Sequence, residues 1–228
     1  MLKLTTNTPK TSAALPGLES FAPQRIDRIK DDLLHRRRAA RRLLIDARRE
    51  KNALEHILTL PDAGESLHFI IDGRFEPCDL IPATRRLAHP ARIKRLEITT
   101  LGFNADNIAC LTAGMDQGKI ENVLLVCSHY FQKADASLFA LMQQEITKRG
   151  GKVYGLRTHT KLILMEMTDG RHFTIEGSGN LRACRSIEQF VFTNDRDLLL
   201  FHRHWLNDYI NTTNKPSGPL APVFGGEG

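Results

Sequence analysis

The sequence lacks long apolar runs. None of its hydrophobic stretches approaches the roughly 18 residues that a membrane-spanning helix requires. The N-terminal segment also lacks an apolar block followed by small residues, so it does not resemble an export signal. We therefore expect a cytoplasmic protein without stable membrane association.

Cysteine is scarce and scattered. The four cysteines are Cys78, Cys110, Cys127 and Cys184, and no two of them have the close spacing typical of zinc ligands. In the absence of an export signal, such thiols are expected to stay reduced and mostly buried. No metal site is predicted.

Positive charge is in excess in only one part of the chain. The formal net charge is +6, and residues 1–58 hold 13 Lys/Arg against 7 Asp/Glu. The remaining 170 residues hold 19 of each sign. This asymmetry indicates a basic arm that contacts a polyanion, joined to a neutral core.

The basic arm is predicted to be one long helix. Residues 25–58 contain neither Pro nor Gly, and their apolar residues recur at intervals of three, four and seven. Guanidinium groups suit phosphate binding, and the arginines assigned to it are Arg36, Arg37, Arg38, Arg41 and Arg42. The helix could instead pack on the core or pair across a dimer, with these arginines in solvent.

The remaining chain alternates between strand and helix patterns. The predicted strands are 68–72, 95–100, 122–127, 152–167, 173–176 and 189–193, and the predicted helices are 78–87, 105–113, 134–149 and 196–210. Apolar strands separated by helices predict an α/β fold with a mostly parallel mixed sheet flanked by helices. The chain is thus divided into a disordered leader (1–22), the basic helical arm (23–60), a core domain (65–210) and a disordered tail (211–228).

One predicted strand carries an unusual group of side chains. Alternate residues of a strand share a face, so Arg157, His159 and Lys161 are expected to project together. The imidazole can act as nucleophile or proton carrier near neutral pH, and Lys161 can neutralise phosphate charge. Arg157 either binds phosphate or forms a salt bridge within the sheet. The group predicts an anionic substrate.

A second segment supplies hydrogen-bond donors. Gly177 and Gly179 allow the backbone to approach a ligand, and Ser178 and Asn180 provide donors. Glu188 begins the next strand, where its carboxylate could orient His159 through the second ring nitrogen.

Together these residues resemble the signature of the phospholipase D superfamily: His159-x-Lys161, then Gly177-Ser178-x-Asn180, then Glu188. The resemblance covers about residues 66–210 and implies a phospholipase D-like domain. It implies that His159 attacks phosphorus to form a phosphohistidine, that Lys161, Ser178 and Asn180 hold phosphoryl oxygens, and that Glu188 orients the imidazole. A second motif histidine would be the general acid, and neither metal nor cofactor would be needed.

The sequence departs from the family pattern at the motif acid. The aspartate expected five residues after the lysine is Glu166 here, and the gap before Gly177 is a few residues longer. On a regular strand, position 166 faces away from His159, so a structural role is expected for Glu166. Asp169, in the following turn, could be recruited as the motif acid instead.

Only one copy of the motif is present. His129 has no lysine two residues later, and His202 and His204 have no accompanying Gly-Ser-x-Asn. His202 and His204 are therefore interpreted as surface or packing residues. A site that needs two motif histidines then requires a second chain. We therefore expect a homodimer, similar to the small single-motif bacterial endonucleases of the superfamily.

Three functions follow from this pattern. The first is a metal-independent phosphodiesterase that cleaves nucleic acid, with DNA ranked before RNA. The second is a catalytically silent fold that binds nucleic acid or a partner protein. The third, ranked last, is a phospholipid phosphodiesterase, since a basic helix can also attract anionic lipid.

Overall fold

The computed structural model describes residues 52–54, 57, 59–71, 75–182 and 186–213. These residues belong to one compact unit, residues 46–228. The predicted leader, nearly all of the basic arm and the tail beyond Thr213 lie outside the described residues, and so do the five phosphate-binding arginines of the arm. Residues 52–54 are helical, as predicted for the end of the arm.

The described residues form seven strands and five α-helices. The strands are β1 (Ser66–Ile71), β2 (Ile93–Thr100), β3 (Val123–Ser128), β4 (Lys152–Leu156), β5 (Leu162–Met167), β6 (His172–Gly177) and β7 (Glu188–Asn194). The helices are α1 (Leu80–Leu87), α2 (Ala105–Asp116), α3 (His129–Ala134), α4 (Ala136–Thr147) and α5 (Arg196–Thr213), and a short 3-10 turn, Pro77–Asp79, precedes α1.

The strands form a single mixed sheet in the order β1-β7-β6-β5-β2-β3-β4. Strands β2, β3 and β4 are parallel, whereas β5 is antiparallel to β2 and the pairs β5–β6, β6–β7 and β7–β1 are antiparallel. The predicted α/β fold with a mixed, helix-flanked sheet is confirmed. The sheet is less parallel than expected, because β5, β6 and β7 follow one another without an intervening helix.

Helices cover both faces of the sheet. In β3, Val123, Leu125 and Cys127 face the main core, which also includes residues of α1, α2, α3 and α4. Leu124 and Val126 face the other way and pack with Leu206 and Ile210 of α5. This alternation explains why β3 reads as an uninterrupted apolar run, and it leaves α5 as the helix that covers the second face.

Local chemistry marks two helix ends. Gly150, three residues after the last residue of α4, has φ of +83°, a conformation that favours glycine. The Asp195 carboxylate accepts hydrogen bonds from the backbone N–H groups of Asp197 and Leu198 and so caps α5. This helix continues to Thr213, three residues beyond the predicted end.

The predicted strand 152–167 is wrong in its middle. The chain leaves the sheet after Leu156 and returns at Leu162, because β4 lies at the sheet edge while β5 pairs with β2. Residues 157–161 must therefore cross the ends of β3 and β2. Arg157, His159 and Lys161 belong to this crossing loop and do not share the face of a regular strand.

Candidate functional site

The motif residues gather at one end of the sheet. The loop 157–161 follows the carboxyl end of β4, and Ser178 follows the carboxyl end of β6, next to the start of β7. Because β5 and β7 run opposite to β2 and β6, all of these segments meet where the parallel strands end. The carboxyl ends of the parallel strands are the usual ligand site of an open α/β sheet.

The end of β2 holds the crossing loop in place. Thr160 Oγ1 donates a hydrogen bond to Thr99 Oγ1 at 2.9 Å, and Thr99 is almost fully buried in β2. Within the loop, the Thr158 and Thr160 hydroxyls lie 2.8 Å apart, and the Thr160 N–H donates to Thr158 Oγ1. These bonds fix the backbone on both sides of His159.

The same strand end holds the second motif segment. The Leu181 N–H donates to Thr100 Oγ1 at 3.0 Å, and the Leu101 N–H donates to Asn180 Oδ1 at 3.2 Å. Asn180 is half-buried and does not line the cleft described below. The structure thus places Asn180 as a link between the motif loop and β2.

His159 and Lys161 lie in direct contact. The Lys161 ammonium lies 2.9 Å from His159 Nδ1 and donates to the His159 backbone carbonyl at 2.8 Å. An ammonium only donates, so Nδ1 is the acceptor and Nε2 carries the proton of the neutral ring. Burial lowers the pKa of Lys161 below its usual value, and the Glu188 carboxylate partly opposes this shift.

Glu188 contacts Ser178 and not His159. Ser178 Oγ donates a short hydrogen bond to the Glu188 carboxylate and accepts one from the Gln189 N–H at 3.1 Å. Among the described residues, no hydrogen bond joins Glu188 to His159. The expected orienting contact between Glu188 and His159 is therefore not observed. In the crossing loop, His159 Nδ1 contacts the Lys161 ammonium instead.

Gly177 and Gly179 are required by packing. A Cβ on Gly177 would overlap the Phe190 ring and would lie 2.7 Å from the Gln189 carbonyl oxygen. A Cβ on Gly179 would lie 2.7 Å from Phe190 Cζ. Phe190 is buried and stacks on Phe69, so it has little room to yield. The glycines bring the Ser178 loop down onto β7, which differs from the predicted approach to a ligand.

A cleft of about 580 Å³ opens between these segments. Its walls include the predicted residues His159, Lys161 and Ser178. They also include Glu176, His202 and Trp205, none of which was predicted as a site residue. Arg157 does not line this cleft: its side chain is exposed, and its backbone carbonyl accepts a hydrogen bond from the Tyr209 hydroxyl.

His202 is a buried residue of the cleft and not a surface residue. It is 8% exposed, lies on the inner face of α5, and its Nδ1 accepts a hydrogen bond from Trp205 Nε1 at 3.1 Å. Its Nε2 lies 3.1 Å from Glu176 Oε1. The sequence carried a signal for this position, since His202 falls on the helical stripe of Leu199 and Leu206, at spacings of three and four.

Glu166 lies in an ion-pair network away from the cleft. It accepts hydrogen bonds from Lys94 Nζ and Arg203 Nη1, both at 2.8 Å, and Arg203 Nε also binds the fully buried Glu97 at 2.6 Å. The hydrogen bond from Lys94 is the main cause that lowers the pKa of Glu166 to about 2; burial opposes this shift, and Arg203 adds to it. The geometry agrees with the structural role expected for Glu166.

Asp169 lies at the wrong end of β5 to replace the motif aspartate. It is in the turn between β5 and β6, where its carboxylate binds Arg171 Nε at 2.8 Å. The six residues of β5 separate this turn from Lys161 by about 20 Å, at roughly 3.3 Å per residue. The structure does not bring Asp169 to His159.

The described residues include no cluster of three or more His, Cys, Asp or Glu side chains that could hold a metal ion. Cys78, Cys110 and Cys127 are free thiols, and Cys184 lies outside the described residues. Among the helices that are described, none is long and apolar enough to cross a bilayer.

No protein-family model matches the sequence, and no curated protein matches it. Solved structures similar to the chain include the following three. The first is a polyphosphate kinase from Porphyromonas gingivalis (TM-score 0.47, 14% identity), for which the match covers 68% of this chain and 26% of that one. The chain thus spans about a quarter of the length of that enzyme.

The second similar structure is a phospholipase D family member, Nuc, from Salmonella typhimurium (TM-score 0.48, 15% identity, 64% of this chain and 95% of that one). The third is a phosphatidylserine synthase from Haemophilus influenzae (TM-score 0.43, 12% identity, 74% of this chain and 44% of that one). These are likenesses of fold at low sequence identity.

Proposed function

We propose that the protein is a metal-independent phosphodiesterase that cleaves nucleic acid through a phosphohistidine on His159. The observation that carries the proposal is the meeting of His159, Lys161 and Ser178 in one cleft at the carboxyl ends of the parallel strands. A nucleophile and a cation are groups that displacement at an anionic phosphate requires, and the Ser178 hydroxyl must leave Glu188 to donate to the phosphate.

The contact between Lys161 and His159 supports a defined order of events. A phosphate oxygen competes with His159 Nδ1 for the Lys161 ammonium. Because an ionised acceptor forms the stronger hydrogen bond, the ammonium moves to the phosphate and the Nδ1 lone pair becomes available. Substrate binding itself thus prepares the nucleophile.

The chemistry proceeds in two displacements. A ring nitrogen of His159 attacks phosphorus, the N–P bond forms, and the P–O bond to the leaving group breaks while that oxygen takes a proton from a general acid. Water then attacks phosphorus, its proton passes to the group that protonated the leaving oxygen, and the N–P bond breaks to release the free imidazole. The predicted homodimer would supply the acid as His159 of a second copy, and the dimer remains a prediction.

The substrate class rests on the sequence of the basic arm. Contacts with several phosphates give a log–log salt slope of roughly −0.9 per neutralised phosphate of duplex DNA. Replacing Arg36, Arg37, Arg38, Arg41 and Arg42 by Gln in the full chain should therefore weaken DNA binding and flatten its salt dependence. An unchanged slope would favour the packing interpretation of the helix.

The decisive experiment is cleavage of labelled DNA and RNA in excess chelator by the wild-type protein and by His159→Ala. We expect cleavage that survives the chelator and is abolished by the substitution. Activity that requires added metal, or that persists in His159→Ala, contradicts the proposal. Binding without cleavage would identify the catalytically silent alternative, and faster hydrolysis of phospholipid than of nucleic acid would overturn the substrate class.

A further inference from the structure

His202 presents a buried hydrogen-bond donor to the cleft. The side chain is 8% exposed and lines the same cleft as His159 and Lys161, although it comes from α5, more than 40 positions later in the chain. It belongs to neither motif segment.

The position of the proton on His202 follows from its neighbour Trp205. The indole Nε1–H lies 3.1 Å from His202 Nδ1, and an indole nitrogen only donates. Nδ1 is therefore the acceptor, and the proton of the neutral ring is on Nε2.

The Nε2–H group has no aligned acceptor among the described residues. Its nitrogen is buried, and Glu176 Oε1 lies 3.1 Å away but outside the direction of a hydrogen bond. Buried donors are nearly always paired, so an unpaired one in the wall of a cleft indicates that a ligand supplies the acceptor. The Glu176 side chain is 40% exposed. Water can therefore solvate its carboxylate when the Nε2–H of His202 donates to a ligand.

We propose that His202 is a substrate-binding residue of this site, donating a hydrogen bond from Nε2 to a non-bridging phosphoryl oxygen. The inference rests on the proposed phosphodiesterase function and adds a donor from α5 to those of the loops. A fixed donor in a partly enclosed site binds most strongly when negative charge accumulates on the phosphoryl oxygens, as it does during displacement. As a donor to a non-bridging oxygen, His202 does not replace the second motif histidine, since the general acid must protonate the leaving oxygen.

Two substitutions separate a fixed donor from a titrating acid. Glutamine can place its side-chain N–H₂ near the position of Nε2, whereas leucine fills similar space without a donor. We expect His202→Gln to retain kcat/KM within about 5-fold, and His202→Leu to lose about 100-fold, mostly in kcat, as for other single transition-state donors. His204→Gln is the matched control, because this neighbour on α5 is exposed and should keep wild-type activity.

Thermal unfolding of each variant, and calorimetric titration with inorganic phosphate, complete the test. Equal unfolding midpoints and weaker phosphate binding by His202→Leu alone are expected. Equal losses in His202→Gln and His202→Leu, or wild-type activity and phosphate affinity in His202→Leu, would overturn the assignment. If the wild-type protein cleaves no phosphodiester, the proposed function fails, while the phosphate titrations still decide whether His202 binds a phosphoryl group.

Discussion

Thr160 Oγ1 donates a hydrogen bond to Thr99 Oγ1 at 2.9 Å, and this bond ties the loop of His159 to the central strand β2. The two residues are 61 positions apart in sequence. Because Thr160 directly follows His159, the position of the imidazole depends on this pair, together with the hydrogen bond from the Tyr209 hydroxyl to the Arg157 carbonyl.

The first prediction is that Thr160→Val lowers kcat/KM by about ten-fold with a loss of only about 1 kcal/mol of unfolding free energy. Loss of the hydroxyl releases the loop from β2 and displaces His159 from its productive geometry. Steady-state cleavage and denaturant unfolding measure the two effects. Thr168→Val is the matched control: its hydroxyl accepts from the Arg92 N–H at the opposite end of the sheet, so stability should fall with activity unchanged. Wild-type activity in Thr160→Val would refute the anchoring role.

The fold could be predicted largely from local patterns. Gly150 and Asp195 mark helix ends through their own backbone and side-chain chemistry, which is local in sequence. The break in the strand 152–167 could not be predicted, because residues on both sides of it have strand character. It arises from the position of β4 at the sheet edge, which only the pairing of distant strands determines.

The site could be predicted only where it is local in sequence. His159, Lys161 and Ser178 reach one cleft because the two motif segments flank a hairpin, so their proximity follows from short connections. The presence of His202 in the cleft required the packing of α5 on the sheet, which the local sequence does not specify. Helical spacing placed His202 on a buried stripe, and a polar residue on such a stripe was the available signal.

The second prediction concerns Glu166 and pH. Hydrogen bonds from Lys94 and then Arg203 hold the pKa of this carboxyl at about 2, below its usual 4.5. The folded state thus favours the ionised form, so Glu166 stabilises the protein above pH 4.5, and this stabilisation is lost as the pH falls from 4.5 towards 2.

We expect Glu166→Gln to cost about 2 kcal/mol of unfolding free energy at neutral pH and to match the wild type near pH 2. Urea unfolding at a series of pH values measures this difference. Glu121→Gln, which removes an exposed ion pair with Arg92, should cost less than about 1 kcal/mol. A deficit for Glu166→Gln that is constant with pH would show that packing, not charge, is lost.

The third prediction concerns the buried carboxylate of Glu97. It is fully buried and accepts from Arg203 Nε at 2.6 Å and from Arg95 Nη2 at 2.7 Å. Removing Arg203 leaves this charge with one partner, so Arg203→Met should destabilise the protein by about 3 kcal/mol. Arg95 is more exposed than Arg203, and Arg95→Met should therefore cost less. Chemical denaturation ranks the two variants, and the reverse order would contradict the assignment of Arg203 as the main counterion.

The fourth prediction uses the contact between Gly177 and Phe190. A Cβ on Gly177 would overlap the Phe190 ring, so Gly177→Ala should cost about 2 kcal/mol of unfolding free energy through overpacking. Phe190→Leu replaces the rigid ring, whose Cδ1 and Cε1 collide with the added atom, by a smaller and more flexible side chain that can turn away. The double variant should therefore recover about 1 kcal/mol relative to the sum of the single changes. Recovery is incomplete because the Gln189 carbonyl also lies 2.7 Å from the added atom.

Phe139→Leu provides the control for this cycle. Phe139 lies on α4, which packs on β4 at the far edge of the sheet from β6, about 19 Å away at roughly 4.8 Å per strand. Its combination with Gly177→Ala should therefore be additive within about 0.5 kcal/mol. The effects of Gly177→Ala and Phe190→Leu could prove equally additive. Phe190 would then not be the reason for glycine at position 177. The Gln189 carbonyl alone would require the small residue at this approach of the Ser178 loop to β7.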